Sequence, residues 1–162
     1  MNDAEFNQIV DDYSNALYRF ALKNIKVSED AQEIVQNSFE RLWINQDKVE
    51  AGKIKSYLFK IAYNLSIDFI RRRKNESDIN ELNDPMISQQ PIYHSDLKYT
   101  LNKALETLNE KQKNAILLRD YEGYSYKEIG DILGLTENQV KINIFRGRKQ
   151  LQEILISIDR HI

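Results

Sequence analysis

The sequence predicts an all-α protein: two small helical domains joined by an acidic linker, the second containing a helix-turn-helix. Three observations carry this. Apolar residues recur at three- and four-residue spacing along both halves of the chain. The 162 residues include only 5 glycines and 2 prolines, too few for the many turns of an all-β fold. Both prolines, Pro85 and Pro91, fall within 75–95, a stretch with four acids, no lysine or arginine and weak periodicity. That is the composition of a tether between folded parts. A content of 41% hydrophobic and 30% charged residues suits helices with one buried and one solvated face.

Taken in order, Phe6, Ile9, Val10, Tyr13, Leu17 and Phe20 mark a first amphipathic helix. A second opens at Ser28, the expected N-cap, with Glu29 and Asp30 in the first turn, where the helix dipole favours acids. Its apolar stripe is Ala31, Ile34, Val35, Ser38 and Leu42. A polar loop with Gly52 follows. A long helix over 53–74 turns Leu58, Ile61, Ala62, Leu65 and Phe69 inward and ends on the cations 71–74, which suit a helix C-terminus. After the linker, Asn109 with Gln112 caps a helix that stops near Gly123. Ser125 with Glu128 forms a capping box, Gly134 supplies a turn, and Thr136 with Gln139 opens the last helix.

That last helix has two apolar sets. Val140, Ile144, Gly147 and Leu151 fall within about 40° of one another and form a core stripe. Ile142 and Phe145 point the other way, beside Lys141, Arg146 and Lys149; Arg148 lies at the flank, toward phosphate or solvent. With 125–133 before it, the segment has the helix-turn-helix pattern, its small core formed by Ile129, Ile132, Leu133, Leu135, Val140 and Ile144. Gly130 stands where the two helices must approach. Gly147 costs the helix roughly 1 kcal/mol against alanine, so close packing is expected to require it. An ordinary helical hairpin has the same pattern. The outward basic face favours the DNA-binding reading, because it projects where a recognition helix meets the major groove.

Composition narrows the function classes. Net charge is −2. Residues 1–74 carry 12 Lys+Arg and 11 Asp+Glu, and residues 96–162 carry 11 and 10. Basic residues form only two small faces, at 60–74 and 136–150, on near-neutral bodies joined by an acidic tether, so charge alone predicts weak DNA affinity. There is no cysteine, hence no disulfide, zinc-thiolate site or cysteine nucleophile. His94 and His161 share no ligand spacing. No metal, no cofactor and no catalytic constellation is expected. With no long apolar run and no signal-peptide pattern at its acidic start, the chain reads as cytoplasmic, without membrane insertion.

"YSYKEIGDILGLTENQVKINIFRGRKQL" resembles the promoter-binding C-terminal domain of bacterial sigma factors. "SEDAQEIVQNSFERLW" followed by "SYLFKIAYNLSIDFIRRRK" resembles their N-terminal domain. Order, spacing and length match the extracytoplasmic-function (ECF) group over about 10–74 and 98–155. The resemblance implies a non-enzymatic transcription initiation factor that binds core RNA polymerase and directs it to promoter DNA. It implies domains at 1–74 and 96–162 around a 75–95 linker, and in many relatives an anti-sigma factor as a further partner.

The resemblance also implies roles for residues. Asp30, Glu33, Gln36, Asn37, Phe39 and Trp43 match the polymerase-docking helix; the periodicity allows Phe39 and Trp43 as core, interface edge or both. Tyr57, Lys60, Asn64, Arg71 and Arg72 match the surface that handles the minus-ten element, and Asn45 to Lys55 the loop that pockets a base. Asp68 is expected to lean inward, as a structural partner for an arginine of 71–73. Lys141, Ile142, Phe145, Arg146 and Lys149 match the minus-thirty-five reading positions. Two other readings compete: a stand-alone helix-turn-helix regulator with a helical input domain, and a helical interaction protein, such as a sigma-factor antagonist, which would have no basic recognition face.

Overall fold

The computed structural model describes residues 1–79 and 96–159. Every regular element among them is helical. The chain divides into two compact units, Met1–Asp84 and Pro85–Ile162.

The first unit is built from α1 (Asp3–Ile25), α2 (Ser28–Ile44) and α3 (Ile54–Ile79). The Asn2 side chain caps α1 by accepting the Glu5 N–H at 2.8 Å. Lys26 ends it in the left-handed region, φ 62°, with its N–H donated to the Leu22 carbonyl. The next helix begins so soon afterwards that Val27, not Ser28, is its N-cap. Ser28 is already helical, and its hydroxyl is hydrogen-bonded to that of Tyr18 at 2.8 Å. The expected serine cap is therefore absent, displaced by one residue.

α3 packs against both α1 and α2. Its buried arc is correspondingly wider than the single expected stripe. Phe59, Tyr63 and Ser66 are buried along with Leu58, Ile61 and Ala62, while Leu65 and Phe69 are half-buried. The Phe59 ring meets Phe20 of α1 edge-on, centroids 5.4 Å apart, a geometry that adds about 0.5–1.5 kcal/mol beyond area burial. Ser38 and Ser66 are fully buried. Each donates to the carbonyl four residues back at 2.7 Å, so neither leaves an unpaired donor.

α3 also runs five residues past its expected end at Lys74. The cations 71–74 lie inside the helix rather than at its terminus. Glu76, four residues after Arg72, continues the chain at a spacing where opposite charges support a helix. The rest of the expected linker, 80–95, lies outside the described residues.

The second unit contains α4 (Asp96–Glu106), α5 (Glu110–Ile116) running into a π turn at Leu117–Tyr121, α6 (Tyr126–Leu133) and α7 (Glu137–Asp159). α7 packs against α4, α5 and α6. The three predicted caps form. The Asn109 side chain accepts the Gln112 N–H at 2.8 Å. Ser125 and Glu128 close a box at 3.1 and 3.0 Å, and Thr136 and Gln139 close another at 3.1 and 2.9 Å.

Between α6 and α7 the chain turns at Gly134, φ 72°. Its N–H and that of Leu135 both donate to the Gly130 carbonyl, and Lys111 Nζ donates to the Leu133 carbonyl at 2.7 Å. These bonds satisfy the Gly130 and Leu133 carbonyls at the C-terminus of α6. A Cβ at Gly130 would lie 2.5 Å from the Leu135 carbonyl oxygen, and one at Gly147 would lie 2.6 Å from Ile116 Cδ1. Both glycines mark close approaches, as their positions in the sequence imply.

Candidate functional site

Three surfaces carry the residues singled out in the sequence. On α2, Asp30 and Asn37 are half-buried, and Glu33 and Gln36 are exposed. Phe39 is buried at 6% exposure, whereas Trp43 is 40% exposed. The periodicity left these two open between core and surface; Phe39 is core and Trp43 is at its edge. Phe6 of α1 holds both rings, edge-on to Phe39 at 6.3 Å and to Trp43 at 5.0 Å. These three line a cleft of about 620 Å³ between α1 and α2, rimmed by Asp3 and Glu40. Helix periodicity placed Phe6 on the inward stripe, but its ring partners lie on a different helix, α2, and leave no local signal.

On α3, Lys60, Asn64, Arg71 and Arg72 are exposed and Tyr57 is half-buried. Tyr57, Lys60, Asn64 and Arg71 recur at three, four and seven residues, so they share one outward face. An aromatic ring, an amide and cations on such a face suit bases and phosphates of an opened strand. The loop ahead of it is folded into two short 3-10 turns, Gln46–Lys48 and Ala51–Lys53. Asp68 is exposed rather than inward. The arginine it meets is Arg72, whose Nε reaches the Asp68 carbonyl at 3.5 Å, so the contact engages the backbone and not the carboxylate.

On α7, the expected inward set Val140, Ile144, Gly147 and Leu151 is buried. Lys141, Arg146 and Lys149 are exposed, and Ile142 and Phe145 stand 47% and 69% exposed beside them. Lys141 lies over the Tyr126 ring, 5.5 Å from its centroid, and Arg119 lies 4.3 Å from the same centroid. Tyr126, the first residue of α6, thus gathers cations from two other elements. Arg148, at the flank of this face, is half-exposed and paired with Asp120. Its Nε donates to Asp120 Oδ2 at 3.2 Å and its Nη2 donates to Oδ1. That hydrogen bond raises the guanidinium pKa above its ordinary value, and the group stays cationic throughout the working range. Sequence reasoning missed Arg119, Asp120 and Tyr126, because a pair 28 residues apart has no periodic signature.

Among the described residues no group of three or more His, Asp or Glu side chains is placed to hold a metal ion, and no helix is long and apolar enough to cross a membrane.

The two units match two family models: residues 9–76 that of Sigma-70 region 2, and residues 99–151 that of Sigma-70, region 4. The chain is 31% identical over 159 residues to the ECF RNA polymerase sigma factor SigE of Mycolicibacterium smegmatis, covering 93% of this chain and 61% of that protein. It is 30% identical over 145 residues to the RNA polymerase sigma factor SigV of Bacillus subtilis, covering 88% and 86%. Among solved structures it is similar to the sigma factor RpoE of Bartonella quintana, determined in complex with the anti-sigma factor NepR. The TM-score is 0.79 at 30% identity, over 93% of this chain and 96% of that one. The helical units, their order and these relatives agree: the chain belongs to the ECF group of RNA polymerase sigma factors.

Proposed function

We propose that the chain acts as the promoter-selecting subunit of RNA polymerase, with its three surfaces dividing the work. Asp30, Glu33, Gln36, Asn37 and Trp43 dock core polymerase, and Phe39, buried at 6% exposure, supports that surface from the core. The α3 face of Tyr57, Lys60, Asn64, Arg71 and Arg72 engages the minus-ten element and the strand it opens. Lys141, Ile142, Phe145, Arg146 and Lys149 read the minus-thirty-five element as duplex. On this reading residues 1–74 are the region 2 domain, 75–95 the tether and 96–162 the region 4 domain. The chain performs no catalysis itself, works in the cytoplasm where the polymerase is, and is a candidate for capture by an anti-sigma factor, as RpoE is by NepR.

The observation that carries this reading is the outward α3 face. A stand-alone regulator needs only the α7 surface and would have no use for a ring, an amide and cations aligned on a second helix. The experiment follows from that face. Asn64→Ala should reduce permanganate reactivity of start-site thymines in the polymerase complex and leave transcription from a pre-melted template close to normal, since base capture offsets an unstacking cost of a few kcal/mol. Equal loss on both templates would assign Asn64 to folding or docking instead.

A further inference from the structure

Resting on the reading of α7 as the DNA-facing helix, we propose that Asp120 masks Arg148 and thereby limits the sequence-independent DNA affinity of the free chain. Arg148 follows Lys141 by seven residues, which places the two side chains within roughly 20° on one edge of α7. From that edge an unpaired guanidinium would meet the phosphates flanking the groove. Asp120, on the π turn, instead takes it in two hydrogen bonds. Bidentate pairing fixes the fork of the guanidinium and cancels its charge locally. The side chains are 50% and 38% exposed, and an exposed pair contributes little to stability. Its larger consequence is electrostatic, because it withdraws one of the four cations at 136–150 from the DNA-facing surface.

The size of that consequence follows from counterion release. Each phosphate neutralised steepens the dependence of log affinity on log salt by about 0.9. That term is the same for every sequence, so it draws a free chain onto bulk DNA without helping it choose a promoter. With Arg148 masked, more of the free chain remains available to polymerase.

The test measures binding of the free full chain to a short labelled duplex of random sequence as salt is varied upward from about 50 mM. Asp120→Ala should bind on the order of tenfold tighter at the low end, with a slope steeper by about 0.9 and the gain fading toward 1 M. Arg148→Ala alone uncovers the Asp120 carboxylate and should weaken binding modestly with no steeper slope, and adding it to Asp120→Ala should abolish the gain. Asp120→Asn keeps the shape of the π turn and should show a smaller gain in the same direction; it carries the test if melting shows that the alanine variant does not fold. An unchanged slope in the folded Asp120 variant, or a gain that survives removal of Arg148, would overturn the mask. Lys149→Ala separates the two levels. If it flattens the slope while the Asp120 variants do nothing, the mask is wrong and the DNA-facing reading stands; if neither changes binding, both fall.

Discussion

Gly130→Ala should destabilise the Pro85–Ile162 unit by about 2 kcal/mol, lowering its melting temperature on the order of 10 °C. The new Cβ would sit 2.5 Å from the Leu135 carbonyl oxygen, and that oxygen belongs to backbone. The turn cannot simply retreat, because the N–H groups of Gly134 and Leu135 are both tied to the Gly130 carbonyl. Overpacking of this kind costs up to about 3 kcal/mol, and the better helix propensity of alanine offsets about 1. Gly147→Ala provides the contrast. Its nearest clash is with Ile116 Cδ1, the tip of a side chain that rotates, and the same propensity gain applies, so the net change should stay within about 1 kcal/mol. Thermal melting of both variants decides the point: a larger loss at Gly147 than at Gly130 would refute the backbone-contact argument.

Ile142→Ala and Phe145→Ala should each weaken binding of the polymerase complex to its preferred minus-thirty-five element by roughly 1–3 kcal/mol, the usual cost of a lost base contact. Single outward apolar residues are ordinary. Two side by side, 47% and 69% exposed and flanked by Lys141, Arg146 and Lys149, form an apolar strip on a basic face. In a major groove its natural partner is the thymine C5-methyl group, while the cations set position through phosphates. The loss should shrink on templates whose critical thymines are replaced by uracil, which lacks the methyl. Lys149→Ala should weaken all sequences alike and flatten the salt dependence. Equal losses on thymine and uracil templates, with folding intact, would exclude the methyl contact and favour a contact between the strip and a protein surface.

Much of the fold was legible because its signals are local. The capping boxes at Ser125 and Thr136, the cap at Asn109, the turn at Gly134 and the inward stripe Val140–Ile144–Gly147–Leu151 all depend on neighbours within one or two turns. What was not legible depends on partners elsewhere in the chain. Burial of Phe59 and Tyr63 follows from α3 touching two helices at once. Exchange of Ser28 for Val27 at the α2 cap follows from the short connection after Lys26. The candidate surfaces divide the same way. The outward positions of Asn64, Ile142 and Phe145 follow from helical spacing alone. The Phe6–Trp43 contact, the cations on Tyr126 and the Asp120–Arg148 pair are tertiary, and a π turn in place of continued α-helix has no pattern of its own in the sequence.

A net charge of −2 and two small basic faces leave the free chain short of the positive charge that promoter binding at physiological salt demands. Core polymerase should therefore be required. Binding of the full chain to promoter duplex, and to an unrelated duplex, measured with and without core enzyme, tests this most directly. Promoter discrimination should appear only when core enzyme is present. Tight, promoter-specific binding by the chain alone would contradict it and restore the stand-alone regulator.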